Sequence, residues 1–361
     1  MKRILTAVLA SAMLVTSLAA CGGENSASSA APASSTAPAS QTSGSEPAGE
    51  AAQIDAPAVT IDVGFGPTID MPYGIAHEYW AKTISERSGG NMTMNVFPSD
   101  QLGSTKDTID QCLTGDAVVT STDVSYFADL GVKDLMIIQA PYLCETWEQM
   151  DKIFASDWFK EQEALLEEKG IKVLAANWRY GDRHTITKNK VEHPADIKGM
   201  KIRVPQATAF VKGFEAIGAS PTPMALGDVY TALQQGTIDG LENPLPTIYG
   251  NKYQEVAKYL LLDAHMKTIN IQVCGIDFFN TLSPEQQALL VETAVDAGEY
   301  QNELAAAKDA ELLAAFEAEG CTITEIDYNE WKEAAKSFYD MPEFADWTPG
   351  LYDRIQEIMN A

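Results

Sequence analysis

The sequence predicts an α/β fold with largely parallel sheets, arranged as two domains or one bilobal domain. Strand-like and helix-like hydrophobic periodicities alternate about every dozen residues from residue 59 onwards, as in strands joined by crossover helices. Hydrophobic residues make up 45% of the 361 residues, enough for sizeable cores. One helical segment runs from residue 284 to residue 320, which is longer than one lobe is wide. We therefore expect this helix to brace both lobes.

The first lobe is predicted mainly over residues 58–180. Val59, Ile61 and Val63 alternate with polar residues, which indicates a half-buried strand, and apolar positions from 75 to 84 have helical spacing before a Gly-Gly pair. The later elements are predicted as a strand at 92–96, a helix after Ser104, a strand at 117–120, an apolar run at 135–140, a helix at 147–168, and strands at 172–177 and 184–187.

The second lobe is predicted mainly over residues 184–276. Its elements are predicted as a strand at 201–204, helices at 207–217, 228–235 and 249–261, and a strand at 268–276. Ser283 then begins a capping box, with Pro284 at the first position of the long helix. The apolar residues of this helix keep no heptad pattern, so a coiled coil is not favoured. Short helices from Tyr328 and Leu351 complete residues 283–361, which we expect to cross both lobes.

Residues 1–20 have the composition of an export signal peptide. Lys2 and Arg3 precede an apolar stretch at 4–18, and small residues lead to Cys21. The Leu-Ala-Ala-Cys sequence resembles the lipobox of bacterial lipoproteins, which implies that Cys21 is diacylated; an ordinary secretory signal with a chance cysteine is the alternative. Residues 22–57 are mainly Ser, Ala, Gly, Pro and Thr, which predicts a disordered tether. We therefore expect an extracytoplasmic protein, lipid-anchored to the outer face of the cell membrane.

Charge and composition exclude several classes of function. The chain has 51 acidic and 25 basic residues, and a formal net charge of -26 excludes nucleic-acid binding. No Cys or His pair stands at metal-ligand or redox spacing, and nucleotide-binding and nucleophile motifs are absent. We expect no metal, no cofactor and no catalytic residues. Disulfides and buried free thiols both remain open for Cys112, Cys144, Cys274 and Cys321.

The segment at 178–265 carries several distinctive motifs in order. They are G-D-R-H-T-I-T-K-N-K at 181–190, D-I-K-G-M-K-I-R-V-P at 196–205, G-A-S-P-T-P-M at 218–224, D-V-Y-T-A-L-Q-Q-G-T-I-D-G-L-E-N-P at 228–244 and E-V-A-K-Y-L at 255–260. Together with F-P-S-D-Q-L-G-S at 97–104, they resemble the solute-binding proteins of TRAP transporters, the tripartite ATP-independent importers of organic acids. The resemblance covers the chain from residue 59 to about residue 340.

The resemblance implies a two-lobed fold of the periplasmic-binding-protein type, with hinge strands between the lobes and the ligand in the cleft. It implies that Arg203, in the K-I-R-V-P motif, pairs with the substrate carboxylate, and that Arg183 and Asn243 also reach the ligand. The chemistry of Arg203 agrees, because a guanidinium in an apolar strand needs an anionic partner and its planar fork fits a carboxylate. A salt bridge within the protein is the alternative for both arginines, and a turn-forming role is the alternative for Asn243.

Four further positions are weaker candidates for the ligand site. Asp123 falls where some members of the family place an acidic group against substrate hydroxyls, although it also fits a helix cap. Tyr73, Trp178 and Arg179 are candidates for the cleft wall, with a place in the core as the alternative for the aromatic residues. Leu226 stands where sialic-acid-binding members carry a large aromatic residue, which argues against a bulky nine-carbon sugar.

The predicted function is that of a receptor that captures a small organic acid and delivers it to the membrane subunits of a TRAP permease. A lipoprotein that presents its ligand to a membrane sensor kinase is the alternative. C4-dicarboxylates, sugar acids and 2-oxo acids remain open as ligands, whereas neutral sugars and amino acids are not expected to bind. We expect a monomer that is not an enzyme.

Overall fold

A computed structural model of the protein describes residues 54–361. The predicted signal peptide at 1–20, the lipidation site Cys21 and most of the predicted tether lie outside the described residues. At the end of that tether, Ala56 O accepts a hydrogen bond from Asn91 Nδ2 at 2.8 Å, and Pro57 O accepts one from Gln286 Nε2 at 2.9 Å. The chain is therefore tied to the folded part slightly before the first strand.

The first lobe is a parallel sheet packed against helices. Its strands and helices are β1 (Val59–Gly64), α1 (Pro72–Arg87), β2 (Met92–Phe97), α2 (Thr105–Leu113), β3 (Val118–Asp123), α3 (Ser125–Asp129), α4 (Trp147–Ala155) and α5 (Asp157–Glu168). β1 pairs in parallel with β2 on one side and β3 on the other. Ile61 lies opposite Met94, and both residues join the core that α1 covers.

Two predicted elements of this lobe differ from the structure. The helix predicted at 147–168 is two helices, because Ser156 accepts a hydrogen bond from Phe159 N at 3.2 Å and caps a new helix there. The apolar run at 135–140 forms part of a 3-10 helix, Lys133–Gln139, inside the core. The other predicted elements between residues 59 and 120 are present.

The second lobe follows the long strand β4 (Ile171–Thr187) and is again a small parallel sheet with helices. Its elements are β5 (Lys201–Val204), α6 (Thr208–Ile217), β6 (Ser220–Pro223), α7 (Val229–Gln235), β7 (Gly240–Pro244) and α8 (Leu245–Gly250). β5 pairs in parallel with both β6 and β7. The chain continues through β8 (Tyr259–Gly275), α9 (Ile276–Phe279), α10 (Pro284–Ala318), β9 (Thr322–Glu325), α11 (Tyr328–Ala335) and α12 (Leu351–Asn360).

Strands β4 and β8 join the two lobes into one sheet. The strand order is β2-β1-β3-β8-β4-β7-β5-β6, with β9 beside β8. β4 and β8 are antiparallel to each other. β8 also pairs antiparallel with β3 of the first lobe, and β4 pairs antiparallel with β7 of the second. The expected parallel pairing therefore holds only within each lobe. Each linking strand has 17 residues, which is long enough to enter both lobes.

Two predictions in this region are wrong. β4 is one strand and not a pair at 172–177 and 184–187, because β-bulges between these segments interrupt the alternation of side chains. The helix predicted at 249–261 is absent: α8 ends at Gly250, a 3-10 turn follows at Tyr253–Glu255, and β8 begins at Tyr259. Lys252 has a left-handed backbone with φ 60°, which stops the helix.

Helix α10 braces both lobes, as predicted. Its 35 residues span about 52 Å. Leu289 and Leu290 pack into the core of the first lobe, whereas Leu312 and Phe316 pack into a core of the second. The helix therefore contacts both lobes.

The C-terminal helices also reach both lobes. α11 contributes Trp331 to a core of the second lobe, and α12 contributes Leu351 and Ile355 to a core of the first. No helix within residues 54–361 combines the length and the apolar composition that crossing a membrane requires. The four cysteines in this part of the chain are free and buried, namely Cys112, Cys144, Cys274 and Cys321.

Candidate functional site

A cleft between the two lobes is the candidate ligand site. Residues of both lobes and of the linking strands β4 and β8 form its walls. The wall residues from the first lobe are Gly66, Pro67, Thr105, Ser121, Thr122, Asp123 and Tyr126. The others, from the linking strands and the second lobe, are Tyr180, Arg183, Arg203, Pro205, Gln206, Ala225, Leu226, Asn243 and Asn270. Two arginines and a set of uncharged polar groups thus converge on one space.

Arg203 lies in β5 with only 3% of its surface exposed. Its Nε and Nη2 atoms donate to the carbonyl oxygen of Met224 at 3.0 and 2.7 Å. Within the described residues, no carboxylate oxygen lies within 4.0 Å of this guanidinium. A buried cation without an ion pair is costly unless an anion reaches it. The guanidinium is therefore placed to receive an anionic group from the cleft.

Arg183 lies in β4 and already has an anionic partner. Its Nη2 donates to Glu242 Oε1 at 2.8 Å, and its Nε donates to the other carboxylate oxygen. Both side chains are buried, and the guanidinium lies 4.8 Å from the centre of the Phe210 ring. The internal salt bridge considered from the sequence is therefore present, although Arg183 also lines the cleft. Burial raises the pKa of Glu242, but the charges and hydrogen bonds of Arg183 and His265 together outweigh burial and lower the pKa overall.

Behind this pair lies His265, a fully buried histidine for which the sequence indicates no role. His265 Nε2 lies 3.3 Å from Glu242 Oε2, and its Nδ1 lies 3.0 Å from Asp263 Oδ2. Burial lowers the pKa of His265, but the two carboxylates outweigh this effect and raise the pKa to about 9. Asp263 also accepts hydrogen bonds from Thr185 N and Oγ1 at 2.9 and 2.7 Å. Positive and negative groups thus alternate inward from the cleft and hold Arg183 in place.

Asn243 lies in strand β7 and not in a turn, which was the alternative indicated by the sequence. Its Oδ1 accepts a hydrogen bond from the Tyr180 hydroxyl at 3.1 Å, and that hydroxyl also lies 2.7 Å from Thr247 Oγ1. Because Oδ1 is held in this way, the Nδ2 group of Asn243 is the part left to meet a ligand. Asn243 is therefore positioned in the cleft as a hydrogen-bond donor.

Asp123 ends strand β3, and its carboxylate contacts the start of α3. Its Oδ1 accepts hydrogen bonds from Ser125 N at 2.9 Å and from the Ser125 hydroxyl, which fixes the start of α3. The residue also lines the cleft. Burial raises the pKa of Asp123, while the Ser125 hydrogen bonds and the charge of Arg183 oppose that increase.

Three sequence candidates lie outside the cleft wall. Trp178 is fully buried, and its Nε1 donates to Ala294 O at 2.9 Å. Arg179 pairs with Asp151. Tyr73 does not line the cleft, but its hydroxyl bonds to the wall residues Ser121 and Asn270. Register shifts in β4 decide which side chains face the cleft, and they turn residues 178 and 179 away from it.

Several polar wall residues were not predicted. Ser121 and Asn270 form part of the floor, and the Tyr73 hydroxyl bonds to both, with Asn270 Nδ2 at 2.8 Å. The signal that could have identified Ser121 is its place in β3, a strand whose six residues are all buried although four of them are polar or charged. Further unpredicted wall residues are Thr105, Thr122, Tyr126, Tyr180 and Gln206. Between residues 54 and 361, no group of three or more His, Cys, Asp or Glu side chains is arranged to hold a metal ion.

Comparison with known proteins shows the family to which the chain belongs. The family described as bacterial extracellular solute-binding protein, family 7 (DctP), matches residues 67–345. The chain belongs to this family. Its resemblance to the solute-binding proteins of TRAP transporters is thereby confirmed, and members of family 7 are extracytoplasmic receptors that bind solutes.

Two family 7 relatives differ in the ligands they are named for. The chain is 29% identical to the sialic acid-binding periplasmic protein SiaP of Vibrio cholerae over 295 residues, which cover 80% of this chain and 89% of SiaP. It is 31% identical to the 2,3-diketo-L-gulonate-binding periplasmic protein YiaO of Escherichia coli over 291 residues, which cover 78% of this chain and 88% of YiaO.

Two solved structures of TRAP periplasmic solute-binding proteins match most of this chain. One, from Ochrobacterium anthropi with bound L-fuconate, is 39% identical with a TM-score of 0.82, and the match covers 84% of this chain and 100% of that chain. Another, from Actinobacillus succinogenes with bound L-galactonate, is 36% identical with a TM-score of 0.81 and coverages of 84% and 99%. The predicted two-lobed fold is therefore confirmed.

Proposed function

We propose that this protein is the receptor of a TRAP transporter for a sugar acid, and that Arg203 binds the carboxylate of the ligand. The observation that carries the proposal is the buried guanidinium of Arg203, which lines the cleft and has no ion pair within residues 54–361. A carboxylate there accepts charge-assisted hydrogen bonds from a planar donor in a site of low dielectric. Such a partner offsets the cost of burying the cation.

The rest of the cleft favours hydroxyl groups over a second carboxylate. Glu242 already balances the charge of Arg183, and Asp123 adds another carboxyl group to the wall. Hydroxyl and amide groups surround them, namely those of Thr105, Ser121, Thr122, Asn243 and Asn270. An acid with one carboxylate and several hydroxyls matches this set of donors and acceptors. The L-fuconate and L-galactonate bound by the two relatives are acids of this kind, which supports sugar acids over C4-dicarboxylates and 2-oxo acids.

Calorimetric titration with matched ligands tests this function. L-fuconate and L-galactonate are expected to bind, whereas the neutral sugars L-fucose and L-galactose, which lack the carboxylate, are not. A thermal-unfolding screen gives the same answer, because ligand at a thousand times its Kd stabilises the folded state by about 4 kcal/mol. Equal affinity for L-fucose and L-fuconate would contradict the carboxylate pair, and tighter binding of succinate or pyruvate would replace the sugar acid by a dicarboxylate or a 2-oxo acid.

The receptor is further proposed to close on its ligand as a monomer and to deliver it, chemically unchanged, to the membrane subunits of the permease. The family supports this role. Uptake of labelled acid into proteoliposomes that contain the permease subunits is expected only when the receptor is added. Uptake without the receptor would contradict delivery. Recovery of a chemically altered acid would contradict the proposal that the receptor only binds its ligand and does not catalyse a reaction.

The anchor is proposed to be a diacylglycerol on Cys21, since the sequence after it offers a polar tether and no apolar stretch of membrane length. Cys21→Ser is expected to yield protein that is released or left as an unprocessed precursor. Fractionation of cells and medium, followed by mass spectrometry of the N-terminus, measures this. Fully processed Cys21→Ser protein that stays on the membrane would contradict lipid anchoring.

A further inference from the structure

Two loops from opposite lobes meet beside the cleft. Residues 98–103 follow β2 in the first lobe, and residues 224–228 follow β6 in the second. Gly227 N donates a hydrogen bond to Asp100 Oδ2 at 3.0 Å. A carboxylate of one lobe thus holds a backbone group of the other, and we call this the Asp100–Gly227 contact.

The two lobes approach closely at the Asp100–Gly227 contact. A methyl group built on Gly66 would lie 2.9 Å from Leu226 Cδ2 and 3.1 Å from Asp100 Oδ1. Gly66 and Leu226 both line the cleft, so the contact lies directly beside the ligand space without being part of its wall. Separation of the lobes by even a few ångströms breaks the hydrogen bond and opens this side of the cleft.

The loop that carries Asp100 is held in an unusual backbone conformation. Ser99 and Asp100 have φ values of 55° and 56°, in the left-handed region that non-glycine residues seldom adopt. The first lobe itself fixes them, because Ser99 N donates to Pro67 O and Asp100 N donates to Phe65 O, both at 3.1 Å. The carboxylate is therefore presented to the second lobe by a loop that is already shaped for it.

We propose that the Asp100–Gly227 contact is a latch that keeps the two lobes closed and sets how long the ligand stays bound. The contact lies outside the set of residues that line the cleft with Arg203, so it acts on closure and not on recognition. The latch rests on the proposed function only in that a sugar acid serves as the probe, and formation of a disulfide across the contact can be measured without any ligand.

The first test measures dissociation of L-fuconate by stopped-flow fluorescence. Asp100→Gly removes the acceptor and suits a positive φ, so the dissociation rate is expected to rise about tenfold, as for loss of a hydrogen bond to a charged group. Asp100→Asn is the matched control, because its amide oxygen still accepts the hydrogen bond from Gly227, and its rate is expected to stay within a few-fold of the wild type.

An opposite result is physically possible and would overturn the latch. Burial raises the pKa of the Asp100 carboxyl, while the Gly227 hydrogen bond and the charge of Arg203 act against this. A carboxylate that feels the charge of Arg203 could act instead as a competitor of the ligand for that arginine. If competition were its role, Asp100→Gly and Asp100→Asn would both bind more tightly and release more slowly. Unchanged dissociation in both variants would equally remove the latch.

The second test uses a disulfide across the contact. A Cβ atom built on Gly227 lies 4.0 Å from Asp100 Cβ, within the range that a disulfide spans. In the Asp100→Cys/Gly227→Cys variant, diamide is expected to oxidise the two thiols, as seen by mass spectrometry even without ligand. L-fuconate is expected to accelerate cross-linking and to be trapped until a reductant is added.

The outcomes of this second test separate the two proposals. No cross-link in either condition would show that the loops do not meet in solution and would overturn the latch. A cross-link that forms readily but at a rate that no sugar acid changes would leave the closed contact in place and contradict the proposed ligand. Escape of L-fuconate from the cross-linked protein at the wild-type rate would also overturn the latch, since a locked contact would then not control release.

Discussion

Arg203 is the side chain on which ligand affinity is expected to depend most. Its guanidinium is buried, lines the cleft and has only a carbonyl oxygen as a protein partner in the described chain. Arg203→Ala would leave a bound carboxylate buried without its cation, which costs about 3–5 kcal/mol. The affinity for L-fuconate measured by calorimetry should fall at least a few hundredfold. Arg203→Lys should lose most of it too, because a point charge cannot form two parallel hydrogen bonds.

Arg179→Ala is the matched control for this prediction. It removes the same charge from the neighbouring part of the molecule, but Arg179 pairs with Asp151 outside the cleft wall. Its affinity for the ligand should stay close to that of the wild type. If Arg203→Ala instead lowers the melting temperature of the unliganded protein and binds normally, Arg203 is a structural residue and not a ligand residue.

His265 makes the stability of the protein depend on pH. The raised pKa of about 9 means that its ionic interactions stabilise the fold fully below its ordinary pKa of 6.5 and are lost as the pH rises through 9. The loss is on the order of 3 kcal/mol for a shift of this size. Urea unfolding at pH 6 and pH 10 should therefore show a larger stability difference between wild type and His265→Gln at the lower pH. A difference that is the same at both values would indicate a neutral histidine.

The arginines of the site could be predicted from the sequence, but most of the cleft wall could not. Arg203 interrupts an apolar strand, and such a charge needs a partner wherever the strand lies. Trp178 and Arg179 lie outside the wall because the face that a side chain takes along β4 depends on bulges that leave no clear mark in the sequence. Tyr73 lies in α1, and its hydroxyl bonds to the wall residues Ser121 and Asn270 without lining the cleft itself. Ser121 was missed because a single short polar side chain in a strand does not show by itself whether it faces a core or a ligand; its place in the run of four polar residues that ends β3 is the signal.

At the scale of the elements, the sequence predicts what is local and misses what depends on pairing. Strands β1 and β2 and helix α1 follow from periodicity alone, since each has one buried face. The segment predicted as a helix at 249–261 begins with the last two residues of α8 and ends in β8. Antiparallel pairing with β4 and parallel pairing with β9 decide the structure of that end. Such non-local pairing overrides the local propensity.

Helix α10 provides a test of how tightly the elements pack. Gly298 faces β4, where an added methyl group would lie 2.7 Å from Trp178 Cδ1 and would also meet the side chain of Asn177. Gly298→Ala should therefore destabilise the protein by about 1–3 kcal/mol through overpacking, more than the 0.5–1 kcal/mol that alanine contributes to an exposed helix. Urea unfolding measures the difference.

The reverse exchange on the same helix is the control. Ala306 is exposed, so Ala306→Gly should cost only about 0.5–1 kcal/mol, from propensity alone. A stabilised Gly298→Ala protein would show that α10 does not press on β4 as closely as the structure indicates.

At the scale of the whole molecule, the charge of the chain opposes that of its proposed ligand. The formal net charge is -26, whereas the cleft presents one buried cation without an ion pair among residues 54–361. An approaching anion is repelled over a distance set by the Debye length, about 30 Å at 0.01 M salt and about 8 Å at 0.15 M. Inside the cleft, walls of low dielectric let the nearby guanidinium dominate. Long-range repulsion should thus govern the approach and short-range attraction the bound state.

The association rate of L-fuconate should therefore increase a few-fold as salt rises from 0.01 to 0.15 M, because screening removes the repulsion at long range. The dissociation rate should change less, since the bound carboxylate and Arg203 are buried from the salt. Stopped-flow measurements across this range separate the two rates, and sucrose at equal osmolarity is the control for effects other than screening. An association rate that falls with salt would mean that the positive groups of the cleft extend their attraction beyond its mouth and steer the anion inward in spite of the acidic surface.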